Sequence, residues 1–279
     1  MKTRLLTAAI ALPVIIASII LPLYYPQTVW LFVVIAALAL AAGLFEFYSL
    51  TKKLELKADA GVGYLGAAAL FVGFLFDAPG KFPDLLVATL IFIVIVVLVT
   101  QAFRFRQDYS KMLTGMGVTL LGVFYIAFLG GFLVAIRVGF ETIPGLSTHL
   151  LAFFFLVLFG SDSGAYFAGR ALGKHKLAPA ISPGKTVEGL IGGILAAAAL
   201  GALSTWWFFP ELPYQFSVPL AVILAIVGVL GDLVESAIKR GSKTKDAASI
   251  LPGHGGFLDR LDSLLFGAPI LYYFARFYF

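Results

Sequence analysis

Nine stretches of this 279-residue chain are almost purely apolar, and most run for roughly 20 residues, the length an α-helix needs to cross a hydrocarbon core about 30 Å thick. They cover approximately 5–24, 28–49, 61–77, 84–103, 113–136, 149–168, 187–209, 217–239 and 264–279. Lipid offers no water to backbone N–H and C=O groups, so runs of this kind satisfy them internally, as helices. The expected fold is all-α: a polytopic transmembrane helical bundle of about nine spans. Only 13% of residues are charged, against about 25% in a typical soluble domain. "MKTR" ahead of an apolar run resembles a secretion signal. The run is close to a full span and no small-residue cleavage site follows it, so it is expected to remain as a helix.

The charges test the count. With the N-terminus cytoplasmic, nine spans place Lys2, Arg4, Lys52, Lys53, Lys57, Arg104, Arg106, Lys111, Arg170, Lys174, Lys176, Lys185, Lys239, Arg240, Lys243, Lys245 and Arg260 inside. Only Lys81, Arg137 and Arg276 stay outside, so 17 of 20 basic residues share one side. That asymmetry is the positive-inside pattern, and it puts the C-terminus outside. The net charge of +5 therefore follows from topology and calls for no nucleic acid.

The two halves differ. Residues 1–147 hold few polar groups within their apolar runs and read as a transmembrane scaffold. Residues 148–279 carry two long, charged, Gly/Pro-punctuated cytoplasmic loops, 169–186 and 240–263. No internal repeat is visible, so the inverted-repeat signature of many transporters is missing. The absence of cysteine excludes disulfides, iron–sulfur clusters and thiolate zinc sites. His149, His175 and His254 fit no zinc-binding spacing. A metal would fall to carboxylates, which suit magnesium or manganese.

Three constellations carry chemistry. In "GSDSGAYFAGRALGKHKLAPAISPGKTVEG" (160–189), Asp162 lies near the cytoplasmic end of an apolar run, where an ionisable group is costly. It is either functional or paired with a lysine for packing. Arg170 follows, then Ser182, Gly184, Lys185 and Thr186 just before a helix start, where backbone N–H groups suit phosphate oxygens. The spacing is not that of a Walker A loop, and Glu188 fits a helix cap. In "GDLVESAIKRGSKTKD" (231–246), helical spacing puts Asp232, Glu235, Ser236, Lys239 and Lys243 on one stripe, with Asp232 about two turns deeper than Lys239. A solvated helix end accounts for the lysines but not for Asp232. In "LPGHGGFLDRLDS" (251–263), Gly255 and Gly256 permit close backbone approach. Asp259 and Asp262 share a face if a helix starts there, and Arg260 lies between them. Carboxylates from two segments suit magnesium, which fills its other positions with water and phosphate oxygens. Basic side chains surround them. This is equipment for phosphoryl or nucleotidyl transfer, which needs positioning and charge neutralisation more than a covalent nucleophile.

The string S-A-I-K-R-x-x-x-x-K-D-x-x-x-x-L-P-G-H-G-G-F-L-D-R-L-D (236–262) resembles the signature of the phosphatidate cytidylyltransferase (CDP-diacylglycerol synthase) family. The upstream segment 162–189 is similar as well, with Val187 where the family carries tryptophan. The matching motifs lie in roughly the last 120 residues. The resemblance implies conversion of CTP and phosphatidic acid to CDP-diacylglycerol and pyrophosphate within the lipid bilayer of the inner membrane. It implies a divalent cation on Asp232 and Asp259, potassium as a second cation, and a homodimer. Asp262 and Asp246 are further metal or supporting groups. Lys185, Lys239, Arg240 and Arg260 are the expected phosphate contacts, with Asp162, Arg170, Ser182, Thr186, Asp246, His254, Gly255 and Gly256 around the substrates. His254 either bonds a phosphate or braces the turn. Surface electrostatics accounts equally well for Lys174, Lys176, Lys243 and Lys245. Gly189 and Gly193 form a G-x-x-x-G expected to pack helices within the chain. A CTP-dependent polyprenol or lipid kinase would use the same face, and a cation-coupled transporter would place ions on Asp162 and Asp232.

Overall fold

A computed structural model of the chain describes residues 2–78, 80, 84–104, 109–140, 143–242, 244 and 255–279. Asp246, His254, Lys243 and Lys245 lie outside the described residues. The helices are α1 (Lys2–Ile20), α2 (Val29–Lys53), α3 (Ala60–Asp77), α4 (Leu85–Arg104), α5 (Met112–Gly122), α6 (Leu129–Gly139), α7 (Leu146–Leu172), α8 (Val187–Trp207), α9 (Tyr214–Gly241) and α10 (Leu258–Tyr278). A π-turn, Val123–Phe128, joins α5 and α6 into one continuous rod, Tyr109–Gly139. Nine rods among the described residues thus follow the nine apolar runs in order. Seven are long and apolar enough to cross a membrane. The others are α1, with a described apolar stretch of Ala9–Leu23, and α10, which opens on Asp259 and Arg260. The protein is an all-α, multi-pass membrane bundle.

Two expected loops are partly ordered as regular structure. Helix α7 continues to Leu172, and an antiparallel hairpin of β1 (Lys176–Ala178) and β2 (Ser182–Thr186) follows it. Residues 258–263, expected at the end of a loop, are the opening turns of α10.

The C-terminal helices pack in succession, α7 on α8, α8 on α9 and α9 on α10, and small residues set their spacing. A Cβ on Gly189 would lie 3.0 Å from the Ala165 carbonyl oxygen, and one on Gly193 3.0 Å from that of Ser161. The G-x-x-x-G therefore packs α8 on α7 within the chain. The contact between α9 and α10 is tighter, since a Cβ on Gly231 would lie 2.4 Å from the Asp262 carbonyl oxygen. Backbone meets backbone there, and this brings Asp232 beside Asp262. Helix α10 also lies against α2 and α6, so the first half of the chain packs against the second through α10 and α7. Arg137, expected in an outside loop, is instead in the last turn of α6 and buried. Its guanidinium donates to Thr148 Oγ1 at 3.0 Å and to the Ile19 carbonyl at 3.4 Å, joining α1, α6 and α7.

Gly231→Ala is expected to destabilise the bundle by about 1–3 kcal/mol through overpacking. A lower melting temperature of detergent-purified protein would show it. Gly241→Ala, with nothing within 4 Å of the added carbon, is the neutral control.

Candidate active site

Helices α9 and α10 assemble the acidic centre. Asp232, Glu235 and Asp262 each present a carboxylate oxygen, and the three oxygens lie within 4.8 Å of one another. Asp232 and Glu235 are three apart on one face of α9, while Asp262 enters from α10 across the Gly231 contact. Glu235 is 1% exposed, and its Oε1 has no hydrogen-bond partner among the described residues. Asp262 Oδ1 accepts from the Ser263 N–H at 2.6 Å. Three hard oxygen donors with an unsatisfied buried oxygen suit a magnesium or manganese ion.

Two lysines offset this charge. Lys185 Nζ, from β2, lies 2.5 Å from Asp232 Oδ2. Lys239 Nζ lies 2.6 Å from Glu235 Oε2, one helical turn away, and also pairs with Asp259 Oδ1. Asp259, expected with Asp232 to hold a metal, is not among the three clustered carboxylates. Its other oxygen accepts from the Gly256 N–H at 2.9 Å, and Glu235 is the third carboxylate beside Asp232 and Asp262. Glu235 was legible only as a member of the α9 stripe.

A cleft of about 440 Å³ opens beside the cluster, lined by Asp162, Tyr166, Arg170, Lys185, Thr186 and Asp232, among others. It brings Asp162 and Arg170 of α7 together with the hairpin and α9, as the motifs implied. Asp162 feels the charges of Asp232, Lys185 and Arg260, and Arg170 Nη1 donates to the Tyr166 hydroxyl at 3.1 Å. Thr186 has a second duty as the N-cap of α8, its Oγ1 accepting from the Gly189 N–H at 3.1 Å. Glu188 lies in the first turn of α8, where negative charge is favoured, and it has a second role. Its carboxylate accepts the N–H groups of Lys174 and His175 and pairs with His175 Nδ1 at 2.6 Å, which fastens the hairpin's approach.

Two predicted residues hold structure. Ser182 pairs with Ala178 in the hairpin. Arg240 Nε donates to the Ile181 carbonyl at 3.1 Å, anchoring the hairpin to the end of α9. Arg260, whose charge Asp162 feels, borders with Phe257 an apolar groove of about 400 Å³ formed by α1, α2, α6, α7 and α10. Gly255 has φ +81°, a left-handed value that glycine adopts without strain. The residue that sequence reasoning missed entirely is Glu46 of α2, which reaches the start of α10. Its signal was available: it is the one charged residue in the run 28–49, and intramembrane ionisable groups merit suspicion.

The helical membrane fold and the carboxylate-and-lysine site together define a membrane-embedded transferase class. A family model described as the cytidylyltransferase family matches residues 2–278, and the chain belongs to that family. A phosphatidate cytidylyltransferase of Bacillus subtilis (strain 168) is 35% identical, covering 98% of this chain and 97% of its own length. One from Staphylococcus haemolyticus is 32% identical over 97% of both chains. One from Haemophilus influenzae is 44% identical over 135 residues, 47% of each chain.

Lys239→Met would leave Glu235 and Asp259 uncompensated in a buried setting. The expected cost is about 3–5 kcal/mol, seen as a large drop in melting temperature. Adding Glu235→Gln should recover part of it.

Proposed function

We propose that this chain transfers the cytidylyl group of CTP to phosphatidic acid, giving CDP-diacylglycerol and pyrophosphate, at the cytosolic face of the inner (cytoplasmic) membrane. The observation that carries this is a charged cleft that shares Asp232 with the carboxylate cluster, together with an apolar groove bordered by the first turns of α10. One can take a nucleotide triphosphate from water and the other an acyl chain from the bilayer. The names of the full-length relatives supply the substrates. The clustering of basic residues at the helix ends around this site supports a cytoplasmic N-terminus, an outside C-terminus and nine spans.

A phosphatidate oxygen attacks the α-phosphorus of CTP. The bond to the β-phosphate oxygen breaks, and pyrophosphate leaves with the electron pair. A phosphate monoester is already anionic at neutral pH, so no side chain is asked to remove a proton. Lys185 and Arg170 line the cleft and bind the triphosphate, with Asp162 and Thr186 bounding it. Arg260, at the groove, orients the lipid phosphate. Lys239 is held by Glu235 and Asp259 close to the reacting groups. Arg240 and Ser182 keep the hairpin, and with it Lys185, over the cleft. Asp232, Glu235 and Asp262 would hold magnesium, or manganese with the same oxygen donors. When bound, such an ion neutralises charge developing on the phosphate oxygens. A homodimer and a potassium ion come from the family resemblance. In this reading 148–279 is the catalytic region, supported through α7 and α10 by the scaffold 1–147.

Purified protein given labelled CTP, phosphatidic acid and magnesium should yield CDP-lipid and pyrophosphate. A phosphorylated lipid with CDP would instead show γ-phosphoryl transfer and overturn the proposal. Asp232→Asn and Asp262→Asn should each lower kcat by about 100-fold or more while the protein still inserts. Ala39→Phe, which narrows the groove, should raise KM for long-chain phosphatidate and leave KM for CTP unchanged.

A further inference from the structure

Glu46 is fully buried, 0% exposed, in the middle of an otherwise apolar helical face. A carboxylate in such a place is costly unless hydrogen-bonded. Its partners come from the far end of the sequence: Oε1 accepts from the Phe257 N–H at 2.9 Å and Oε2 from the Leu258 N–H at 2.8 Å. These are donors at the start of α10, which an α-helix leaves without partners of its own and where negative charge is favoured.

The neighbouring residues are fitted to this arrangement. A Cβ on Gly256 would lie 2.4 Å from Glu46 Oε2, and one on Gly255 2.9 Å from Asp259 Oδ2. Three successive N–H groups are shared between two carboxylates: Gly256 donates to Asp259, and Phe257 and Leu258 donate to Glu46. Asp259 then holds Lys239, and Lys239 holds Glu235. A continuous set of polar contacts runs from α2, through the first turn of α10, to the carboxylate cluster on α9.

We propose that Glu46 is a positioning residue of the active site. It fixes where α10 begins, and so sets Asp259 against Lys239 and Asp262 against Asp232. The proposal rests on the cytidylyltransferase reading above and extends it to a residue of the N-terminal half. It also explains the paired glycines by two carboxylates that occupy the space their side chains would need.

The test compares the wild type with Glu46→Gln, Glu46→Ala, Gly256→Ala and the Glu46→Ala/Gly256→Ala double variant. Each is purified in detergent, its melting temperature recorded, and kcat and both KM values measured per folded enzyme. A displacement of about 1 Å in catalytic groups can cost on the order of 100-fold, so Glu46→Ala should lose about that much in kcat. Its KM for phosphatidate should stay within about twofold, as expected when the lost interaction acts only in the transition state. Glu46→Gln, which keeps an acceptor oxygen, should recover part of the loss and cover the case in which the alanine variant folds poorly. Gly256→Ala should be damaging alone and add little to Glu46→Ala, because the carboxylate it collides with is gone; such coupling is expected of residues in contact. The proposal is overturned if both Glu46 variants keep wild-type kcat, if their losses appear wholly as lost folded protein, or if Gly256→Ala costs the same in both backgrounds. A wild type that makes no CDP-lipid would instead defeat the underlying functional reading.

Discussion

A carboxylate buried in a helical bundle needs a cation or a hydrogen-bond donor, and this protein gathers several of them at one end. Glu46 is met by backbone N–H groups, Asp262 by its neighbour Ser263, and Glu235 and Asp259 by the shared ammonium of Lys239. The arrangement concentrates negative charge in a weakly polar setting where its interactions with a cation are strong. Surrounding structure serves that end. The glycine contact at residue 231 lets α9 and α10 approach closely enough for their carboxylates to converge, and the hairpin delivers Lys185 from above.

The site faces two solvents at once. A cleft among α7, the hairpin, α8 and α9 is bordered by charged and hydroxyl groups; a separate groove, which the start of α10 borders, is lined almost wholly by apolar side chains. Phe257 and Arg260, a turn apart, border the groove, and the charge of Arg260 is felt by Asp162 in the cleft. A reaction joining a water-soluble nucleotide to a membrane lipid needs both surfaces, because neither reactant can be moved far into the other's medium without a large desolvation or exposure cost.

Much of this was legible in the sequence. Apolar runs gave the nine rods in order, since lipid imposes helix on any such run. The motifs correctly brought Asp162, Arg170, Lys185, Asp232 and Asp262 into one neighbourhood. What escaped was pairing between distant elements. That Glu235 joins Asp232 and Asp262 depends on how α9 and α10 meet, and the role of Glu46 on which helix start it meets 211 positions later; neither has a local signature. Arg240 and Ser182 looked like ligand contacts because basic and hydroxyl residues near a glycine-rich turn serve hairpin architecture equally well.

The π-turn between α5 and α6 carries a different kind of constraint. A wide turn accommodates one residue more than regular α-helix would at that place, so deleting a single residue from Val123–Phe128 would let the rod close into uniform α-helix. The residues beyond it would keep their phase, with Phe132 still facing Phe74 and Tyr272 and Arg137 still beside Thr148. Deleting a residue from the regular α-helix on either side would instead rotate the last eleven residues by about 100°, so length variation within this rod is absorbed at the π-turn and not elsewhere along it.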